Sequence, residues 1–313
     1  MANALRSGIL AYAAGVVALM GVRRRVRLPR PATVTLATSV PLAVAVTVPS
    51  GRACYAAMWA SYMWLFKVAW EAPYDRPEKL RPRLHVDYAL RADRAIGAGV
   101  APTVRLQRAL RDSPRLTPLD YGLTTVYHAL WLAPHAVLGW MLLKHEDRVP
   151  RVAGRLAAVY HLTTVGYWLV PTAPPWWTGE NGERMVAEVQ RVPREVRRAV
   201  ARRIGLAGHR FQRDDEADWM ATANPWGSMP SDAVPAAALT ARSLAQISPA
   251  AGAAAWAATA LQAFALVYLG EHYLVDVIAG LALAEAVWRA EPAVLPLARR
   301  GVDALRALRR LTS

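Results

Sequence analysis

The chain has 313 residues, 54% of them hydrophobic and 19% charged, with a mean hydropathy of +0.15. Its apolar residues are gathered in blocks, which excludes an ordinary soluble globule and points to a multi-pass membrane protein. A formal charge of +15, from 38 Lys and Arg against 23 Asp and Glu, sits in the connections without aromatic interleaving or zinc-finger spacing, so it excludes nucleic acid and points to anionic lipid headgroups.

Segments able to approach the ~20 residues needed to cross a bilayer run over roughly 7–22, 32–48, 53–70, 121–143, 151–171, 234–249, 251–269 and 272–290. The expected fold is an all-α polytopic bundle with a six-helix core and one or two additional N-terminal apolar segments. Its divisions are 1–50 for the N-terminal segments, 51–290 for the membrane domain and 291–313 for a basic cytoplasmic tail. The first segment resembles a signal peptide, but Arg23-Arg24-Arg25 stands where a cleavage site needs small neutral residues. It is therefore read as an uncleaved span with 23–30 in the cytoplasm. The single Cys54 excludes an internal disulfide and a cysteine-based metal site.

Residues 71–120 form a polar connection in which six prolines forbid one continuous helix, although Tyr88–Arg94 reads as helical. A second connection, 172–233, opens on Pro174-Pro175-Trp176-Trp177, a stiff turn whose tryptophans suit the membrane interface, as do Trp64 and Trp70. Within it, 184–204 repeats apolar positions at helical spacing with Arg opposite, the pattern of a helix lying on headgroups or in solvent. Arg23–Arg30 inside, with eight strict crossings, would put the end of the second connection in the cytoplasm. The basic tail (Arg299, Arg300, Arg306, Arg309, Arg310) and the Lys144–Arg151 turn place it outside. The two agree if one early segment fails to cross, and Pro41 selects 32–48. The extracytoplasmic face of the cell membrane follows.

Two motifs carry chemistry. In Gly270-Glu271-His272-Tyr273-Leu274-Val275-Asp276, His272 and Asp276 are four apart, so on a helix the carboxylate reaches the imidazole. A His held by a carboxylate is a nucleophile or base for phosphate chemistry, and ionisable groups at the edge of an apolar segment are costly enough to imply function. About 40 residues upstream lies Met229-Pro230-Ser231-Asp232-Ala233. Two apolar helices between the motifs return the chain to the side it left, so Ser231 and His272 should meet at one membrane face.

Pro230-Ser231-Asp232, His272-Tyr273-x-x-Asp276 with Gly280, and Pro174-Pro175 together resemble the type-2 phosphatidic acid phosphatase superfamily. The resemblance is closest to its lipid-phosphotransferase branch, that of inositol phosphorylceramide and sphingomyelin synthases, and covers most of 55–290 in the manner of actinobacterial members. It implies a metal-free, cofactor-free site in which His272 attacks phosphorus, Asp276 orients it, and Ser231, with N–H groups at the next helix start, holds phosphate oxygens. It implies a phospholipid or polyprenyl phosphate or diphosphate as substrate.

The chain departs from that pattern. The family signature has an acid His where Ala233 stands, and Ala cannot donate a proton, so the chain is an inactivated variant, a natural pseudoenzyme or an enzyme whose leaving group needs no acid. General acid catalysis contributes about 10²–10⁴-fold. An alkoxide leaving group needs that help, whereas a phosphate leaving from a diphosphate does not. Asp232, beside the Ser231 phosphate seat, would have to point about 100° away on a helix to serve as the acid. The family's cation six residues before the nucleophile is Leu266 here, and Lys67 to Arg76-Pro77 is two residues too long for its other basic motif. Arg91 and Arg94 become the candidate phosphate cations. His128, His135 and His161 read as interhelical hydrogen-bond partners, and Trp219 and Trp226 as covers for a lipid chain or anchors for the loop. The expected function is a lipid phosphatase or phosphotransferase working through His272. A non-catalytic lipid-binding protein and a proton-coupled transporter are the alternatives. The oligomeric state is not specified by the residues.

Overall fold

A computed structural model describes residues 2–23, 25–72, 81–111, 115–177, 186, 188–205 and 226–312. Among them the chain is helical, with isolated backbone bridges and no strand. The helices are α1 (Ala2–Val22), α2 (Arg30–Thr47), α3 (Arg52–Glu71), α4 (Tyr88–Ile96), α5 (Pro102–Leu110), α6 (Pro118–Lys144), α7 (Val149–Leu169), α8 (Val192–Arg203), α9 (Ala233–Ala245), α10 (Pro249–Tyr268) and α11 (Leu274–Thr312). Prolines in the first turn of α2, α5, α8 and α10 start those helices where a free N–H would lack a partner anyway.

An all-α membrane fold is what the apolar blocks led one to expect. Three helices, α1, α6 and α10, are long and apolar enough to cross a bilayer. Helices α2, α3 and α7 match expected segments within a few residues, and α2 runs on through Pro41. Elsewhere the structure differs. The 13 residues of α9 reach about 20 Å at 1.5 Å per residue, too short for a ~30 Å hydrocarbon layer. Helix α11 has 39 residues and carries the basic stretch after 290 within it. The surface helix expected over 184–204 begins only at Val192, where Pro193 sets the first turn. Residues 184, 185 and 187 lie outside the described residues, as do Arg76, Pro77 and Trp219.

The chain divides into two compact units, one of residues 1–80, 135–161 and 286–313, the other of 81–134 and 162–285. In the first, α1, α2 and α3 bury Val16, Met20, Ala37, Val40, Leu65 and Val68 together. Buried Arg155 binds Glu291 at 2.6 Å and lies over the Trp288 ring at 3.8 Å. Arg151 binds the other oxygen of Glu291 at 2.5 Å. Arg309 donates to the Ala45 carbonyl at 2.6 Å, satisfying an orphan acceptor in the last turn of α2. His161 meets the Tyr62 hydroxyl at 2.8 Å, and His135 stacks on Tyr160.

The second unit holds the motif residues. One cluster joins Leu123, Val192, Val196, Ala265, Tyr268 and Leu269. Another joins Ala233, Val234, Leu266, Val267 and Val277, so the end of α10 and the starts of α9 and α11 share one core. His128 bonds Thr124 of its own helix at 2.7 Å, a local contact in place of the interhelical one expected.

Glu291→Ala should destabilise the first unit by about 3 kcal/mol, because buried Arg155 loses its carboxylate. Thermal unfolding of the detergent-solubilised protein measures this, and Glu291→Asp should recover part of the loss.

Candidate active site

His272 lies in a five-residue link between α10 and α11, and both ends of the link are capped. At the first end Gly270 has φ +79°. Its N–H donates to Val267 O at 3.2 Å and that of Glu271 to Leu266 O at 3.1 Å, closing α10 in a Schellman turn. A Cβ on Gly270 would stand 2.9 Å from Gln190 O, so both conformation and space demand glycine there. The His272 N–H also donates to Leu266 O, at 3.2 Å. Leu266 thus holds the loop through its carbonyl while its side chain is fully buried.

At the second end α11 begins with Leu274, so His272 precedes the helix rather than sharing its face with Asp276. The expected contact forms by another route. Asp276 sits in the first turn and reaches back, accepting the Tyr273 N–H at 2.8 Å as the acid of a capping box does. The same oxygen faces His272 Nδ1 at 3.3 Å and accepts the Ser228 hydroxyl. Tyr273 has no side-chain acceptor to cap the next N–H groups. Asp93, fully buried on α4, does so instead, accepting from Leu274 at 3.0 Å and Val275 at 2.8 Å.

The Ser231 motif docks on the same helix. Ser231 N–H donates to the Asp276 carbonyl at 3.1 Å. Gly280, one turn on, makes that approach possible, since a Cβ there would stand 3.1 Å from Ser231 O. The Ser231 side chain is fully buried, and its hydroxyl has no hydrogen-bond partner among the described residues. Ser228 is held by Thr172, whose strand-like link bonds His85 on one side and Trp226–Ser228 on the other. Tyr167 fixes the turn by donating to Pro230 O at 2.8 Å.

Charge is concentrated around the imidazole. Arg191, buried at the start of α8, binds Glu271 at 3.0 Å and lies 4.1 Å over the Trp176 ring. Burial opposes a charge on His272, but the hydrogen bond and charge of Asp276, joined by Asp232 and Glu271, outweigh it and raise the imidazole above its ordinary pKa. Burial also lifts the Asp232 carboxyl, against the charge of His272 and the N–H groups of Asp232 and Ala233. Asp93 is pushed up to about 6, chiefly by burial and against its two N–H bonds.

His272, Asp276, Ser231, Asp232 and Ala233 are therefore gathered at the junction of α9, α10 and α11. Ala233 opens α9 and packs with Leu266, Val267 and Val277. Arg91 and Arg94 stand exposed on α4, Arg91 beside Asp87 at 3.8 Å, while Asp93 between them turns inward. Trp176, Trp177 and Trp226 are buried, so the interfacial placement expected for the first two does not hold. Sequence reasoning passed over Asp93, Arg191, Ser228 and Glu271. Glu271 lay inside one motif and Ser228 immediately before the other, but nothing in the chain separates Arg191 from the other arginines around α8.

A model of the PAP2 superfamily matches residues 89–290. The chain belongs to the PAP2 superfamily. That match spans Asp93, Arg191, Ser228, Ser231, His272 and Asp276, and PAP2 superfamily members are generally phosphatases or phosphotransferases. No curated protein and no solved structure matches the chain.

Asp93→Ala should cost about 2 kcal/mol, since two helix-terminal N–H groups lose their acceptor. Because the folded pKa of Asp93 lies above that of an unfolded Asp, its protonation stabilises the native state fully below about pH 4. That contribution is lost as pH rises through about 6. Asp93→Asn should flatten this part of the stability profile, as read by unfolding midpoints between those pH values.

Proposed function

We propose that this protein transfers the phosphoryl group of a lipid phosphate or diphosphate through His272. The observation that carries the reading is the His272–Asp276 contact set beside Ser231, whose buried hydroxyl stands at the start of a helix. With Nδ1 turned to Asp276, Nε2 is the attacking atom. A P–N bond forms as the bond from phosphorus to the leaving oxygen breaks, giving a phosphohistidine. Water or a lipid hydroxyl then attacks phosphorus, the P–N bond breaks, and the acceptor's proton passes to the released imidazole. Neither step needs a metal ion.

The remaining roles follow from charge. Ser231 and the N–H groups opening α9 donate to phosphate oxygens. Asp232, with its raised pKa, joins them only in its protonated form, as a hydrogen-bond donor. Arg191 is buried next to Glu271 and supplies the local positive charge, a better seat than the exposed Arg91 and Arg94. Buried Leu266 in place of a cation is the reason for placing the chain in the inositol phosphorylceramide synthase-like branch. With Ala233 unable to protonate an alkoxide, the substrate that fits is a lipid diphosphate, whose phosphate leaves as a stable anion. The basic tail and the Lys144–Arg151 turn support a site on the extracytoplasmic face of the cell membrane.

Phosphate release from farnesyl diphosphate and from phosphatidic acid tests this. The wild type should act on the diphosphate, EDTA should leave the rate unchanged, and His272→Ala should reduce it to background. Ala233→His should raise turnover of phosphatidic acid by about 10²–10⁴-fold. Undiminished release by His272→Ala would sink the proposal. The packing of Ala233 among apolar side chains favours a second reading, a lipid-binding protein without turnover. Bound lipid with no release by either the wild type or Ala233→His would establish that one.

A nucleophilic imidazole must be neutral, and here its pKa is raised. The acid limb of kcat/KM should therefore lie above the ordinary imidazole pKa of about 6.5. Asp276→Asn removes the main raising cause, so it should move that limb down while slowing the reaction. A limb that stays in place would mean Asp276 does not tune His272.

A further inference from the structure

An open groove of about 400 Å³ reaches Leu274, two residues beyond His272, and its volume is within the range of ligand-binding clefts. Pro102 and Leu106 of α5 form one wall, and Ala263, Phe264 and Val267 of α10 the other. Leu274, the first residue of α11, also lines it. The walls are almost wholly apolar, and Arg105, which donates to the Gly97 carbonyl at 2.5 Å, stands at the rim.

Three features point to one occupant. Helix α10 is apolar and long enough to cross a bilayer, and the groove follows its last two turns. A hydrocarbon chain can therefore enter from the lipid phase without passing through water. Leu274 lies two residues beyond His272, and its N–H is held by Asp93, so this part of the groove lining is fixed relative to the imidazole. The almost wholly apolar walls suit a hydrocarbon chain over a polar group.

We propose that this groove seats the hydrocarbon chain of the phosphorylated lipid while its phosphate lies at His272. The inference rests on the reading of His272 as the reaction centre. The groove selects for chain, whereas Ser231, Arg191 and the start of α9 select for phosphate.

Equilibrium binding to the full-length protein in detergent tests the groove without requiring turnover. The probes are farnesyl diphosphate, farnesol and inorganic diphosphate, together with a farnesyl diphosphate analogue bearing a photoreactive group on its chain. Ala263→Trp fills the groove from a half-buried position. It should weaken farnesyl diphosphate by about tenfold or more and leave inorganic diphosphate unchanged. Phe264→Ala widens the groove from an exposed position and should shift preference from farnesyl towards geranylgeranyl diphosphate, which keeps the test valid if the first variant fails to fold. The photoreactive chain should label peptides containing 96–106 or 263–274. Labelling elsewhere, or affinities that neither variant alters, would overturn the chain assignment while leaving the phosphate site standing. Farnesol binding as tightly as farnesyl diphosphate would make the groove a seat for any membrane lipid, and overturn the proposal as well. If inorganic diphosphate and farnesyl diphosphate both fail to bind the wild type, the reading of His272 fails, and the groove assignment with it.

Discussion

The arrangement around His272 depends on how the first turn of α11 finds partners for its backbone N–H groups. Asp276 reaches back to Tyr273, and Asp93 arrives from α4 to take the next two donors. A helix N-terminus buried without acceptors is strongly disfavoured, so these two carboxylates are needed for α11 to start where it does. Because one Asp276 oxygen also receives Ser228 and faces His272 Nδ1, the group that caps the helix also orients the imidazole. Fold and chemistry share one atom.

That sharing explains the rigidity of the short link. The Schellman turn at Gly270 ends α10, and the capping box at Tyr273 begins α11, leaving little freedom between them. Gln107 reinforces the first end by donating to Gln190 O and Tyr268 O and accepting the Gln190 N–H. The link is therefore tied to α5 and to the segment that carries Arg191. In the proposed reaction, a nucleophile held this way would be in place before substrate arrives, which is where much of the advantage of an enzyme site lies.

The charges tell a complementary story. Four carboxylates, Asp93, Asp232, Glu271 and Asp276, lie in or close to the site, and an anionic substrate would be repelled unless several are engaged. Asp276 is occupied by its donors, Glu271 by Arg191, and Asp93 by two backbone N–H groups. Asp232 meets its own N–H and that of Ala233, but burial outweighs them and biases it towards its neutral form. In the proposed reading, N–H groups, a hydroxyl and a guanidinium would face the phosphate despite this acidic composition.

Much of this was legible in the residues. Apolar blocks of bilayer length fixed the class, because they are a local property of the chain, whereas the start of α8 at Val192 was not anticipated. The four-residue spacing of His272 and Asp276 foretold their contact, although it is made across a helix start rather than along a helix face. Ser231 meets Asp276 as its position beyond two apolar helices led one to expect, although α9 is too short to be one of two full crossings. What only the tertiary structure decided are the contacts between distant segments: Asp93 on α11, Arg191 on Glu271, and Ser228 on Asp276. Trp176, which looked like an interfacial residue, is covered by Arg191 for the same reason. A sequence records which side chains can accept, donate or pack, but which of many similar arginines or aspartates does so is decided by chain packing. Only burial makes the choice costly enough to be unique.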